Sequence, residues 1–161
     1  MKTYKFYDTS SLLLKVDTLF ENPEDNVIIS SITLNELEHI KTASNKDPDI
    51  KFAARKLLHI LDNNMDKYQV HIFGNDMLKP IEDKNMAIND DARILACAID
   101  FYCSTKPEDN MWFITNDLAL KHLAMLFFKD VCSVDEETQD EYKGYLDLKM
   151  SEEGMAYFYE H

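Results

Sequence analysis

The chain predicts an α/β fold: a three-layer sandwich in which a central, mostly parallel sheet of four to five strands is covered by helices on both faces. Short apolar or aromatic runs alternate with longer stretches of helical period, and that order implies parallel strands joined by right-handed crossover helices. With 161 residues, 45% of them hydrophobic and 11% aromatic, the chain can fill one core without staples.

Residues 4–8 alternate aromatic and polar and break at Asp8-Thr9-Ser10, after which Leu12, Leu13, Val16 and Phe20 recur at helical spacing. The reading is strand, cap, helix. A polar loop with Pro23 leads to a second apolar run at 27–30. Helix then resumes, with Thr33 and Glu36 in the spacing of a capping box and Leu34, Leu37 and Ile40 as its apolar face. Residues 45–48 break the pattern, and 49–62 form an amphipathic helix with Ala53, Leu57, Ile60 and Leu61 inward and a basic outer face. A third strand at 68–73 is followed by a polar connection through Gly74 and Pro80 to Asn89 without clear periodicity. Helix 90–104 places Ile94, Leu95, Ala98, Phe101 and Tyr102 on one side. A turn at 106–110 precedes a fourth strand at 111–115, Asp117 opens a helix with Leu120, Leu123, Ala124 and Phe127, and 130–133 forms a short edge strand. The tail from Glu136 is acidic, with a strand expected at 145–148 and a helix at 152–160.

Four carboxylates sit at the ends of these strands or in the helices beside them: Asp8, Glu36, Asp91 and Asp117. In open parallel sheets ligands lie beyond the carboxyl ends of the strands. Asp8 and Asp117 follow two such ends directly, and regular crossovers bring the helices of Glu36 and Asp91 to the same side. Singly, each acid is better explained as a helix cap or a solvated charge. Jointly, acids crowded at one edge are costly unless a cation lies between them. An all-oxygen set suits Mg2+ or Mn2+, which lowers the pKa of a bound water and steadies a phosphoryl centre. No histidine is required: His39, His59, His71 and His122 lie in helix or strand patterns, and His161 is the last residue.

The bulk numbers narrow the partners. The formal charge is −13, which weakens general attraction to polyanions, but residues 130–161 hold ten acids against two bases and carry most of that excess. Lys41, Lys46, Lys51, Arg55 and Lys56 could meet phosphates or form an ordinary solvated face. Three cysteines without CxxC spacing point to a reducing compartment and away from zinc; with no membrane-length apolar run and no signal pattern, the expected location is cytoplasmic. With three glycines and no GxxxxGK[ST], these residues hold no phosphate-cradling ATPase loop.

The motifs Asp8-Thr9-Ser10, TLNELEHI around Glu36, NDDARILACA around Asp91 and Thr115-Asn116-Asp117 together resemble the PIN domain, a metal-dependent ribonuclease fold, over about residues 4–134. TLNELEHIK, IKFAARKLLHIL, FITNDLALKHLA and Tyr142-Lys143-Gly144-Tyr145 are most similar to the PIN domain that precedes a PhoH-type ATPase. The resemblance implies Asp8, Glu36, Asp91 and Asp117 as catalytic, cation-binding acids. Ser10 and Asn116 would be auxiliary, Asp90 the reserve for Asp91, and Arg93 and Lys121 either phosphate grips or local ion pairs. It further implies hydrolysis of single-stranded RNA to 5′-phosphate and 3′-hydroxyl ends, residues 1–134 as the nuclease domain, and 135–161 as an acidic extension toward an ATPase module. Relatives often pair through helices, so a homo-oligomer is also implied. Two rivals remain: a catalytically silent RNA-binding or regulatory module of the same fold, and a phosphoacceptor signalling domain. The latter ranks lower because the second and third strands end without an acid.

Overall fold

In a computed structural model, residues 1–138 are described; the strand and helix expected in the tail, and the motif at 142–145, lie outside them. Five strands, β1 (Thr3–Tyr7), β2 (Asn26–Ser30), β3 (Tyr68–His71), β4 (Asn110–Ile114) and β5 (Asp130–Cys132), form one sheet in the order β3-β2-β1-β4-β5. Every pairing is parallel. The chain builds outward from β1 to β3, then returns to lay β4 on the other side of β1. The β1/β4 boundary is therefore the topological switch point, where such sheets open a crevice.

The helices are α1 (Thr9–Leu14), α2 (Ser31–Thr42), α3 (Pro48–Asp62), α4 (Lys79–Asp83), α5 (Asp90–Cys103) and α6 (Leu118–Ala124). Side-chain alternation along the strands separates two cores. Phe6, Ile28 and Phe113 face α4, α5 and α6 through Ile81, Ile94, Leu95, Ala98, Leu120 and Ala124. Tyr7, Ile29 and Ile114 face α1, α2 and α3 through Leu12, Leu37, Ala54, Leu57 and Leu61. This is the three-layer sandwich expected, with a wholly parallel sheet.

Several local expectations need correction. The first helix stops at Leu14; Val16 and Phe20 reach the core from turns with i→i−3 bonds such as Thr18 N–H to Lys15 O. Ser30, not Thr33, caps α2, accepting from Ile32 N–H at 3.1 Å, so Thr33 and Glu36 form no capping box. The connection 74–89 is not structureless: a 3₁₀ turn (Asn75–Leu78) and α4, with Pro80 in its first turn, push Leu78 and Ile81 into the core. Single turns are too short to show a 3.6-residue period. In α3, Ala54 rather than Ala53 is buried with Leu57 and Leu61. Tyr102 and Leu123 are exposed; Tyr102 instead meets Phe128 edge-on, 5.8 Å between ring centres.

A helical turn over 134–138 closes the described chain, and its Glu137 is fully buried against β1. Among the described residues no helix is long and apolar enough to cross a membrane.

Candidate active site at the carboxyl edge of the sheet

Asp8 stands immediately after β1, in extended backbone at the N-cap of α1, and is only 2% exposed. Its backbone N–H is bound by Ile114 O of β4 at 3.1 Å, which fixes it at the switch point. Three protons reach its carboxylate: Ser11 N–H donates to Oδ1 at 2.9 Å, Thr115 Oγ1–H to Oδ2 at 2.6 Å, and Ser10 Oγ lies 2.9 Å from both oxygens. A serine hydroxyl has one proton, so three donors face about four lone-pair sites and one site stays open.

Thr115 also accepts from Asp117 N–H at 3.0 Å, so one hydroxyl sets the spacing between the two strand-end acids. Asp117 caps α6 through Leu120 N–H to Oδ1 at 3.0 Å, which leaves Oδ2 for another partner.

From the other flank, α2 brings Glu36, whose Oε1 accepts from Thr9 Oγ1–H at 2.6 Å. Burial raises the Glu36 pKa above its ordinary value; the Thr9 bond opposes this, and the charges of Asp90, Asp91 and Asp8 add to it. Burial likewise raises Asp91, and the charges of Asp117, Asp8 and Asp90 push the same way. Asp91 has no hydrogen-bond partner among the described residues. Its neighbour Asp90 is exposed and paired with Arg93 Nη1 at 2.9 Å. Of the two adjacent acids, Asp91 is therefore the one facing Asp8 and Asp117.

The four acids thus share one electrostatic neighbourhood, each keeping an oxygen lone pair that no described proton occupies. Among the described residues, no three His, Cys, Asp or Glu side chains close into a ready-made cage for an ion. A hard cation that keeps several waters needs only one or two direct carboxylates. The all-oxygen donors, the open lone pairs and the unrelieved repulsion fit Mg2+ or Mn2+.

The auxiliary residues divide. Ser10 points its hydroxyl at Asp8 as expected, and that oxygen also accepts from Asn116 N–H at 3.2 Å. The Asn116 side chain ties down the segment after β5, its Oδ1 accepting from Val134 N–H at 3.0 Å. Arg93 forms the local ion pair with Asp90, and Lys121 pairs with Glu136. Both cations envisaged as phosphate grips are held in ion pairs in this structure, Arg93 with the Asp90 that adjoins Asp91. Sequence reasoning passed over Thr9 and Thr115, which hold Glu36 and Asp8. The only signal available was a hydroxyl one residue after Asp8 and another two before Asp117.

The family model of the PIN domain matches residues 6–128. The chain belongs to the PIN domain family. It therefore has the fold of a family whose members are generally nucleases, and PIN nucleases generally use divalent metal ions. Among solved structures, VapBC2 from Rickettsia felis bound to a promoter DNA fragment is similar at 19% identity and a TM-score of 0.49, covering 79% of this chain and 98% of that one. VapBC-1 from nontypeable Haemophilus influenzae is similar at 16% identity and a TM-score of 0.44, covering 80% and 96%. No curated protein matches the chain.

Proposed function

We propose that this PIN domain is a metal-dependent ribonuclease that hydrolyses phosphodiester bonds of single-stranded RNA. The observation that carries the reading is the mutual exposure of Asp8, Glu36, Asp91 and Asp117 beside the switch point, with acids rather than cations as the charges that act on Glu36 and Asp91. Asp8, Glu36, Asp91 and Asp117 would hold Mg2+ or Mn2+. When bound, the ion supplies an acidified water and charge neutralisation at the phosphate. The protein supplies the geometry: Ser10, Ser11 and Thr115 fix both Asp8 oxygens, Thr9 fixes one oxygen of Glu36, and Leu120 N–H fixes one of Asp117. Each of these carboxylates then presents its remaining lone pair without a rotamer search when substrate arrives.

The closer resemblance to PIN domains that precede PhoH-type ATPases supports a further reading, in which a neighbouring ATPase feeds unwound RNA to this site in the cytoplasm. Burial of Glu137 favours counting residues 135–137 with the nuclease domain rather than with the acidic extension. The test is cleavage of an unstructured RNA with Mn2+ present, none with EDTA, and a loss of about a hundredfold or more in Asp117→Asn. Retention of RNA binding without cleavage in Mn2+ would favour the silent module.

A further inference from the structure

A cavity of about 210 Å³ opens between the first turns of α5 and α6, the same two turns that carry Asp91 and follow Asp117. Its walls are Met86, Ala92, Leu95, Leu120 and Leu123, with Asn89 and Asp91 at its polar end. It is more apolar than polar, and it lies well below the roughly 300–1,000 Å³ of sites that enclose drug-sized ligands. Asn89 caps α5 by accepting Ala92 N–H at Oδ1, 2.8 Å, which fixes the amide and leaves both Nδ2 protons without a partner among the described residues.

We propose that this cavity is a nucleobase subsite, taking the base of a nucleotide adjoining the bond to be cut. The inference rests on the ribonuclease reading for its substrate and adds where the base goes. Asp91 belongs both to the cavity and to the acid cluster, so a planar heterocycle lodged against Met86, Ala119 and Leu123, above the buried Leu95 and Leu120, leaves its sugar and phosphate beside the acids. The apolar walls suit the faces of any base, and the fixed Asn89 amide offers donors to a ring nitrogen or carbonyl at its edge. A base anchored here also compensates for the poor bulk attraction of RNA to a chain of net charge −13.

The experiment uses the full chain and a short unstructured oligoribonucleotide, together with a series in which one position at a time is abasic. Cleavage is followed in Mn2+ and binding in Ca2+. Ala119 lines the cavity but is exposed and lies outside the acid set, so Ala119→Trp fills the space, and its thermal midpoint reports whether the fold is kept. Leu123→Ala, which opens the rim, is the second variant. In the wild type, one abasic position next to the cut should weaken binding and raise KM about tenfold, the lower part of the range for one lost base contact. Ala119→Trp should show the same weakening on intact RNA and no further loss on that abasic RNA. Equal responses to every abasic position, or a filled cavity that leaves RNA handling unchanged, would overturn the subsite while leaving a cleaving enzyme. Position-dependent binding without cleavage would keep the subsite and overturn the nuclease reading, whereas no binding of any RNA would overturn both.

Discussion

Strand β1 and the residue after it bury two charged side chains three positions apart, Lys5 and Asp8, and the molecule treats them in opposite ways. Around Lys5, charges of both signs close on one another. Its ammonium lies 3.1 Å from Asp25 and 2.8 Å from Glu137, Lys15 reaches the second Glu137 oxygen at 3.3 Å, Tyr7 O–H donates to Glu137 at 2.6 Å, and the Trp112 ring centre is 5.3 Å away. Around Asp8 the partners are hydroxyls and a backbone N–H, the other charges nearby are acids, and Arg93 and Lys121 are paired elsewhere. A buried charge matched by side chains is a structural tie. A buried acid held by neutral donors and faced by more acids keeps its binding capacity for something the fold does not supply.

Neutralising the acid end should give the largest effect: Asp117→Asn and Asp91→Asn should each lower Mn2+-dependent cleavage by about a hundredfold or more, as loss of a positioned charge-stabilising group does. Single-turnover cleavage of labelled RNA measures it. At the paired end, Glu137→Gln should leave the site chemistry in place but cost about 3–5 kcal/mol in a urea titration, because Lys5 and Lys15 lose a common buried counter-charge.

The acid end should also respond to single substitutions in two directions. Asp8→Asn sets an amide against three inward donors and should cost about 1–3 kcal/mol, although it removes one charge from the acid cluster. Asp91→Asn should raise stability at pH 7. The folded pKa of Asp91 lies above its ordinary 3.8, so the folded wild type loses stability as pH rises through that raised value; below about 3.8 the variant's advantage should vanish. Mg2+ should raise the wild-type thermal midpoint and raise that of Asp91→Asn less.

The smallest effect belongs to Lys121, which is held in a partly exposed ion pair. Lys121→Ala should cost no more than about 1 kcal/mol, since the Glu136 pair is partly solvated. Lys121 holds the Glu136 carboxyl below its ordinary 4.5, so what the pair contributes is present above pH 4.5 and fades as pH falls through the lowered value.

The strands were legible to within a residue or two because each is a short apolar run bounded by polar breaks, as at Asn26–Ser30 and Asn110–Ile114. Asp8 and Asp117 were legible because each acid follows a strand directly. Glu36 read equally well as half of a capping box, and only Ser30, taking the cap at the strand end, frees it for Thr9. Lys5 read as one polar residue in an alternating strand; nothing local shows that Glu137, far along the chain, closes over it.

By itself the sequence determined the alternation of strands and helices, the parallel sheet that follows from it, and the presence of acids at strand ends, because each depends on neighbours within a turn or a strand. Tertiary structure alone decided which side chains answer those acids: Thr115 reaching Asp8 across 107 residues, Asn116 holding Val134, and Lys121 drawn to Glu136. Those choices depend on distances between segments, which the order of residues along the chain does not contain.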